Sequence, residues 1–202
     1  MTDSLQDVKD RLILAALPEI PFSGWSRAVL ADAAASIGMD RTMAERAFPG
    51  GPVDAALHFA DLADRQLVQE AEAADLAKMG LTARVKWLVR RRLEAWDQHR
   101  EAVRRAVSLF SLPIFAGKAG AATWRTADLI WHLAGDGSVD FSYYTKRLGL
   151  SAAYSATLMV WLTDGSEGNA ESWAFLDRRI ADLGKLPKLK QMAGNLLKFR
   201  RT

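Results

Sequence analysis

Hydrophobic residues recur along almost the whole chain with a period near 3.6, and the strict alternation typical of a half-buried β-strand is scarce. An amphipathic helix buries one face, and it needs other helices to cover that face. Half of the 202 residues are hydrophobic and a quarter are charged, which is enough apolar surface to form a core. The sequence therefore predicts an all-α fold.

Proline, glycine and capping residues divide the chain into ten predicted helices. We expect Asp40 to cap the third helix, Pro52 to lie in the first turn of the fourth, and Gly184 with Pro187 to separate the last two. The predicted helices cover residues 5–17, 25–36, 40–47, 52–78, 81–96, 99–110, 122–134, 140–162, 170–183 and 188–199.

Several classes of site lack the residues that they need. The chain has no cysteine, which excludes disulfides, thiolate metal sites and cysteine nucleophiles. It has three histidines and no Glu-x-x-His pair, so it does not supply a ferritin-like di-iron site. A phosphate-binding glycine loop and a Gly-x-Ser-x-Gly nucleophile elbow are also absent. We therefore expect no enzyme activity, no cofactor and no metal.

Neither a signal peptide nor a transit peptide is recognisable at the N-terminus, because residues 1–7 have no basic or apolar core and are acidic. No uninterrupted apolar run approaches the ~20 residues that span a bilayer. The expected location is cytoplasmic, in a reducing compartment.

The N-terminal part has the layout of a helix-turn-helix, since two short helices joined by a glycine turn precede a long helix. It resembles the N-terminal domain of TetR-type repressors, whose recognition helix aligns without gaps on residues 38–49. Those repressors usually carry tyrosines where this chain has Glu45 and Ala47. Between residues 25 and 51, three arginines are balanced by three carboxylates. Because phosphate contacts supply most non-specific DNA affinity, we predict a vestigial motif and no nucleic-acid partner.

A carboxylate lies between two tryptophans in the seventh predicted helix. Trp124, Asp128 and Trp131 fall at i, i+4 and i+7 and therefore share one helix face. A buried carboxylate needs a hydrogen bond. We expect Asp128 to bind a neighbouring backbone group or an indole N–H.

Aromatic and basic residues cluster at the start of the next helix. Asp140 suits its N-cap, and Tyr143, Tyr144, Lys146 and Arg147 follow in the first turns. Tyrosine and arginine are over-represented at interface hot spots, so an exposed cluster here predicts a docking surface.

The region around this cluster resembles the family of accessory proteins of ubiquinone biosynthesis. The similarity is dense from residue 124 to residue 180, and it extends upstream to Gly24–Trp25 and residues 111–113. The residues that carry it are Trp124, Asp128, Trp131, Gly135, Asp136, Ser138, Asp140, Phe141, Tyr144, Thr145, Arg147, Leu150, Tyr154, Thr157, Asp164, Ser166, Trp173, Phe175, Leu176, Arg179 and Ile180.

The resemblance implies a TetR-like fold, a pocket for an isoprenoid quinone precursor between the C-terminal helices, and partnership with the di-iron demethoxyubiquinone hydroxylase. The residues that it assigns to the hydroxylase-facing patch are Asp136, Asp140, Tyr143, Tyr144 and Arg147. Animal members carry tryptophan where this chain has Tyr143, which keeps an aromatic anchor but changes the details of docking.

Large side chains recur at helical spacings in the later helices. A domain rich in bulky aromatics either packs them into a dry core or leaves an apolar slot for a ligand. The residues predicted to contact lipid are Phe110, Trp131, Tyr154, Leu158, Trp161, Trp173 and Phe175.

Residues 184–202 carry six basic residues, no acidic ones and an apolar stripe at helical spacing. This pattern favours an interfacial helix on anionic lipid, although a terminal helix packed on the protein with a solvated basic face has the same composition. Members of the resembled family contact lipid through their last helix, which favours the membrane. The predicted membrane residues are Lys185, Lys188, Leu189, Lys190, Met192, Leu196, Lys198 and Phe199.

The predicted architecture is an all-α, TetR-like fold of about ten helices with a vestigial N-terminal helix-turn-helix and a C-terminal amphipathic helix. Folds of this type commonly dimerise through their last helices, so a homodimer is one expected state. Three parts are expected: a helix-turn-helix-like part (1–51), a helical ligand-binding body (52–183) and a basic membrane helix (184–202).

The functional hypothesis is a non-catalytic lipid-binding protein of ubiquinone biosynthesis, peripheral on the inner face of a bacterial membrane. Its expected partners are an isoprenoid or quinone lipid, the hydroxylase and an anionic membrane surface. The alternative hypothesis is a ligand-sensing transcription regulator of the TetR type.

Overall fold

The computed structural model describes residues 4–138 and 141–199, with side chains described for 4–138 and 142–184. Over these ranges the chain forms ten α-helices, four short 3-10 helices and no strand. The α-helices are α1 (Leu5–Ala16), α2 (Ile20–Ser23), α3 (Arg27–Ser36), α4 (Met43–Ala47), α5 (Pro52–Ala73), α6 (Leu81–Glu94), α7 (Arg100–Phe110), α8 (Ala116–Leu133), α9 (Phe141–Trp161) and α10 (Ala170–Phe199). The 3-10 helices are Leu76–Lys78, Asp97–His99, Pro113–Phe115 and Glu167–Asn169. The all-α prediction is confirmed.

Local capping explains where several helices begin. At α1, the Asp7 amide donates to the Ser4 hydroxyl at 3.1 Å, and the Ser4 amide donates to the Asp7 carboxylate at 3.0 Å. This reciprocal pair satisfies two of the amides that a helix start leaves without intrahelical partners. At α3, the Val29 amide donates to the Ser26 hydroxyl at 3.2 Å.

Ten helices were predicted and ten α-helices are present in the described part of the chain, but only because one helix was missed and another was predicted as two. The helix α2 was not predicted; Pro21 lies in its first turn, where proline is tolerated. The predicted division of α10 at Gly184 and Pro187 is wrong, because one helix continues to Phe199. Proline has a φ that a helix accepts and removes one N–H, so it destabilises a helix without always ending it.

Three other predicted helix boundaries are wrong. The α4 helix begins at Met43 with Thr42 as its cap, and Asp40 instead accepts hydrogen bonds from the Thr42 amide at 2.8 Å and hydroxyl at 2.7 Å. The α5 helix ends five residues early, at Ala73. The α8 helix begins at residue 116 rather than 122, directly after the turn that contains Pro113.

The chain divides into two compact units, one formed by residues 1–75 and 91–126 and the other by residues 76–90 and 127–202. The first unit has an aromatic core at the centre of its hydrophobic cluster. The Trp25 indole donates to the Ala102 carbonyl at 3.1 Å, and the Phe59 ring meets Trp96 edge-on at 4.6 Å. These contacts tie α7 to the loop before α3, so the N-terminal helices belong to a packed body.

A buried ion pair joins α5 to α6 in the first unit. The Arg92 Nε donates to the Asp64 carboxylate at 2.7 Å, and both side chains are less than a tenth exposed. The Thr126 hydroxyl and Arg125 also donate to Asp64, at 2.9 Å and 3.3 Å. Such a carboxylate is satisfied only while all three donors stay in place.

The second unit is held together by close packing of α9 on α10. A Cβ on Gly149 would lie 2.6 Å from a methyl group of Leu183, so the glycine permits this approach. Among the fully buried side chains here are Ile130, Leu150 and Leu176.

No single described helix is long and apolar enough to cross a membrane; the helices at 97–110 and 113–133, bent by 95°, meet that criterion only as a pair.

We expect Asp64→Ala to lower the free energy of unfolding by about 3–5 kcal/mol, because it leaves a buried guanidinium uncompensated. Glu70→Gln is the matched control on the same two helices. Glu70 pairs with the more exposed Arg91 at 3.0 Å, so its loss should cost ~1 kcal/mol or less. Urea unfolding followed by circular dichroism measures both variants, and equal losses in the two would contradict a special role for Asp64.

Candidate functional site

A buried arginine lies at the centre of the predicted partner patch. The Arg147 side chain is 4% exposed, and its Nε donates to the Asp128 carboxylate on α8. Its Nη1 lies 3.5 Å from the Asp136 carboxylate and donates to the Tyr143 carbonyl at 3.3 Å. The guanidinium also stacks on the Tyr143 ring, 3.4 Å from its centroid. One side chain therefore connects α8, the loop after it and the first turns of α9.

Lys146 makes a second set of contacts with the same loop. Its ammonium group lies 2.6 Å from both the Asp136 carboxylate and the Ser138 hydroxyl, and Ser138 also donates to Asp136 at 2.8 Å. The Trp131 indole donates to the Lys146 carbonyl at 3.0 Å. The ammonium lies 5.6 Å from the centre of that indole ring. Residues 136–138 of the loop after α8 are thus held by contacts with α9.

These contacts favour the charged form of Asp136, whose side chain is only 4% exposed. Burial by itself raises the pKa of Asp136. Hydrogen bonds from Lys146 and Ser138, with the charges of Lys146 and Arg147, outweigh that effect and hold the pKa below its ordinary value of 3.8.

An exposed apolar surface lies beside this ionic cluster, and we call Tyr143, Tyr144 and Leu148 the α9 patch. Tyr144 is 63% exposed and Leu148, one helical turn further, is 65% exposed. The rings of Tyr143 and Tyr144 meet edge-on with centroids 5.2 Å apart. Stacking on Arg147 fixes the Tyr143 ring, so the patch presents aromatic surface with little freedom left to lose on binding.

The five residues predicted to face a partner differ in their exposure to solvent. Tyr144 is exposed and Tyr143 is half-buried, whereas Asp136 and Arg147 are almost wholly covered and hold the patch from beneath. Asp140 lies outside the described residues. Direct contact with a partner stays a prediction.

The hydrogen bond expected for Asp128 exists, but its partners differ from the predicted ones. Asp128 accepts from the Tyr143 hydroxyl at 3.1 Å and from Arg147, and the Trp131 indole binds the Lys146 carbonyl instead. Sequence reasoning missed Lys146 as a structural residue. The pairing of Asp136 with a cation ten residues later crosses a loop, and helical spacing carries no signal for such a contact.

The residues predicted to contact lipid fall into different environments. Trp161, Tyr154 and Trp173 are buried, and the Trp173 indole donates to the Gly168 carbonyl at 2.8 Å. Phe110 packs on the core of the first unit rather than in the second unit with the others. The half-buried members of the set are Phe110, Trp131, Leu158 and Phe175. A lipid contact stays a prediction for all seven.

Asp164 and Ser166, two other residues that match the family, stabilise the start of α10. Asp164 accepts from the Ser166 amide at 2.8 Å and hydroxyl at 2.6 Å, and from the Ser172 amide at 2.8 Å and hydroxyl at 2.5 Å. Hydrogen bonds from Ser166 and Ser172 hold the pKa of Asp164 far below its ordinary value. This motif joins the end of α9 to the start of α10.

The eight residues predicted to contact a membrane lie in the part of α10 whose side chains are not described, so only their helical backbone is known. In the described part of the chain, no three His, Asp or Glu side chains come together as a metal site.

The fold is that of TetR-type proteins. A TetR transcriptional regulator from Nitrosomonas europaea superposes with a TM-score of 0.72 at 21% identity, covering 88% of this chain and 98% of the regulator. An identity this low shows the fold and leaves the function open.

Within that class, residues 116–187 match the COQ9 family. The ubiquinone biosynthesis protein COQ9, mitochondrial, of Homo sapiens is 29% identical over 96% of this chain and 64% of its own length. The protein of the same name from Drosophila melanogaster is 30% identical over 96% of this chain and 61% of its own length. This chain thus spans less than two thirds of these relatives. The resemblance to the family predicted from the sequence is confirmed.

We expect Asp136→Asn to destabilise the protein at pH 7, with an effect that shrinks as the pH falls below 3.8. A carboxylate whose folded pKa is depressed contributes stability above its unfolded pKa of 3.8, and that contribution is lost as pH falls toward the folded value. Unfolding midpoints at pH 7, 5 and 3 measure the difference from the unmodified chain.

Asp177→Asn is the control, because its carboxylate is 61% exposed and its surface pair with Lys86, at 2.8 Å, carries little stability. A destabilisation by Asp136→Asn that stays constant from pH 7 to pH 3 would mean that the ion cluster does not support the loop.

Proposed function

We propose that this chain is a non-catalytic accessory protein of ubiquinone biosynthesis. It binds an isoprenoid quinone precursor at a membrane and presents it to the demethoxyubiquinone hydroxylase. The support is the similarity over 96% of the chain to proteins named for ubiquinone biosynthesis. The observation that carries the partner contact is the exposed α9 patch, which lies inside the family-matching residues 116–187.

The α9 patch has the chemistry of a protein-docking surface. An interface core gains most from rigid aromatic groups that lose few degrees of freedom, ringed by groups that exclude water. Tyr144 and Leu148 supply exposed apolar area, and the cations beneath them are already paired with Asp128 and Asp136. A partner therefore covers an apolar surface without stripping water from an unpaired charge.

Membrane and lipid binding follow from the chemistry of the ligand. Holding an isoprenoid chain in water costs ~0.8 kcal/mol per CH₂, so extraction from a bilayer needs an apolar receiver at its surface. The basic residues of the tail (184–202) supply attraction to anionic lipid of ~1 kcal/mol each. We place the protein on the inner face of the membrane for this reason.

The alternative, a TetR-type regulator, has the fold in its favour. The helix that would recognise DNA, α4, is only five residues long. Its first turn also carries the negatively charged Glu45. Arg41 is paired with Asp32 at 2.5 Å. That pairing offsets one of the three arginines between residues 25 and 51 that phosphate contacts would use.

We expect Tyr144→Ala to weaken the complex with the hydroxylase by about 30-fold, equivalent to ~2 kcal/mol, because it removes an exposed aromatic anchor. Isothermal titration calorimetry with the purified hydroxylase measures the dissociation constant. The thermal midpoint should stay unchanged, since the side chain is exposed.

Met159→Ala is the matched control, because Met159 is 56% exposed on the same helix but lies outside the patch. Arg147→Ala should weaken binding and also lower the thermal midpoint, since it removes the support of the loop. Unchanged affinity in Tyr144→Ala would exclude the α9 patch as the docking surface.

We expect the full chain purified from cells to carry an isoprenoid or quinone lipid, identified by native mass spectrometry and extraction. A protein that is empty and takes up no added isoprenoid would contradict the carrier. Sequence-specific retention of DNA at low salt would favour the regulator instead.

A further inference from the structure

The connection between α7 and α8 is apolar and exposed. We call residues 111–121 the apolar turn; it contains the short helix Pro113–Phe115 and the first residues of α8. Ile114 is 81% exposed and Leu112 is 48% exposed. Around them, only Phe115 and Ala119 are half-buried, and every other residue of the turn is exposed. Isolated exposed apolar residues are ordinary, but a continuous exposed segment of this kind marks an interaction site.

Charge is nearly absent from this segment and is positive where it occurs. Residues 106–124 include one ionisable group, Lys118, whose side chain is 52% exposed. Just before them, Arg104 and Arg105 share a single carboxylate, Glu101, at 2.9 Å and 3.2 Å. Lys118 lies 3.4 Å from Asp54. The turn therefore has an uncharged tip with three cations and two carboxylates beside it, which complements an anionic surface.

Several polar groups of the turn and of the α7 end before it are satisfied internally. The Ser108 and Ser111 hydroxyls donate to the carbonyls of Arg104 and Ser108 at 3.0 Å and 2.7 Å. The Phe115 amide donates to the Leu112 carbonyl at 2.9 Å, and Pro113 has no amide hydrogen. A segment enters hydrocarbon only if its backbone and hydroxyl groups do not need water.

From these observations we infer that the apolar turn inserts shallowly into a lipid bilayer, as a membrane contact separate from the C-terminal tail. The helices that flank it meet at 95° and satisfy, together, the length and composition of a membrane segment. A sharp bend suits partial insertion from one side, with Leu112 and Ile114 below the headgroups and the cations at the phosphate level. This contact goes beyond the proposed function, because it uses neither the α9 patch nor the tail.

The absence of cysteine permits a position-specific test. Ile114→Cys in the full chain carries one thiol, which is labelled with an environment-sensitive nitrobenzoxadiazole probe. The labelled protein is mixed with vesicles of 70% phosphatidylcholine and 30% phosphatidylglycerol. We expect a blue-shifted, brighter emission that lipid-soluble quenchers reduce, whereas the same probe on Leu14→Cys, 52% exposed on α1, should not change.

A second measurement uses charge instead of a probe. Leu112→Asp with Ile114→Asp should lower the vesicle partition coefficient in co-sedimentation by at least about tenfold, or ~1.4 kcal/mol. Leu14→Asp should leave it unchanged, and the exposed positions should keep the thermal midpoint of all three chains similar.

The outcomes separate the turn from the tail. Lys188→Glu, Lys190→Glu and Lys198→Glu together should weaken binding to the anionic vesicles, while the probe at position 114 still reports lipid in the bound fraction. A probe that stays in water while the chain co-sediments overturns the insertion and leaves the tail contact intact. Failure of the unmodified chain to bind vesicles overturns both. An equal shift at positions 14 and 114 would also contradict insertion of the turn.

Discussion

The candidate site depends on the buried guanidinium of Arg147. A buried charge is tolerated only when it is paired and hydrogen-bonded, and Arg147 meets this condition with Asp128, Asp136 and the Tyr143 carbonyl. Because these acceptors come from α8, the loop and α9, satisfying one side chain fixes three segments. Lysine could not replace it, since only the planar guanidinium binds two carboxylates and stacks on the Tyr143 ring at once. The exposed part of the site is thus held by a residue that hardly reaches the surface.

Helical periodicity and capping predicted most of the fold, because those signals are local. The α1 and α9 helices appear within one residue of their predicted limits. The failures are at positions where context overrides a local rule. Pro187 lies inside α10 because the helix on both sides outweighs its cost, and Pro21 starts a helix instead of preventing one. Proline can therefore either start a helix or lie within one, and the neighbouring sequence does not show which of the two applies.

The candidate site was predicted as a set of residues, but its division of roles was not. Spacing placed Tyr143, Tyr144 and Arg147 in the first turns of α9, and family resemblance assigned all three to the partner-facing patch together with Asp136 and Asp140. Neither source distinguishes the exposed Tyr144 from the covered Arg147, because the burial of Arg147 depends on its tertiary contacts with Asp128 and Asp136. Lys146 escaped prediction for the same reason, since its partner Asp136 lies across that loop.

The charge distribution separates the two kinds of contact that the proposed function requires. Beneath the α9 patch, Asp128 and Asp136 pair with Lys146 and Arg147, so the surface proposed to face a protein is apolar above paired charges. The tail keeps six basic residues and no acidic ones. Electrostatic attraction between exposed charges is screened within about 10 Å at moderate salt, while apolar burial is not. Attraction to an anionic membrane therefore weakens with ionic strength, and docking through the patch is almost independent of it. The proposed carrier would therefore change its residence on the membrane with ionic strength while keeping its affinity for the proposed partner.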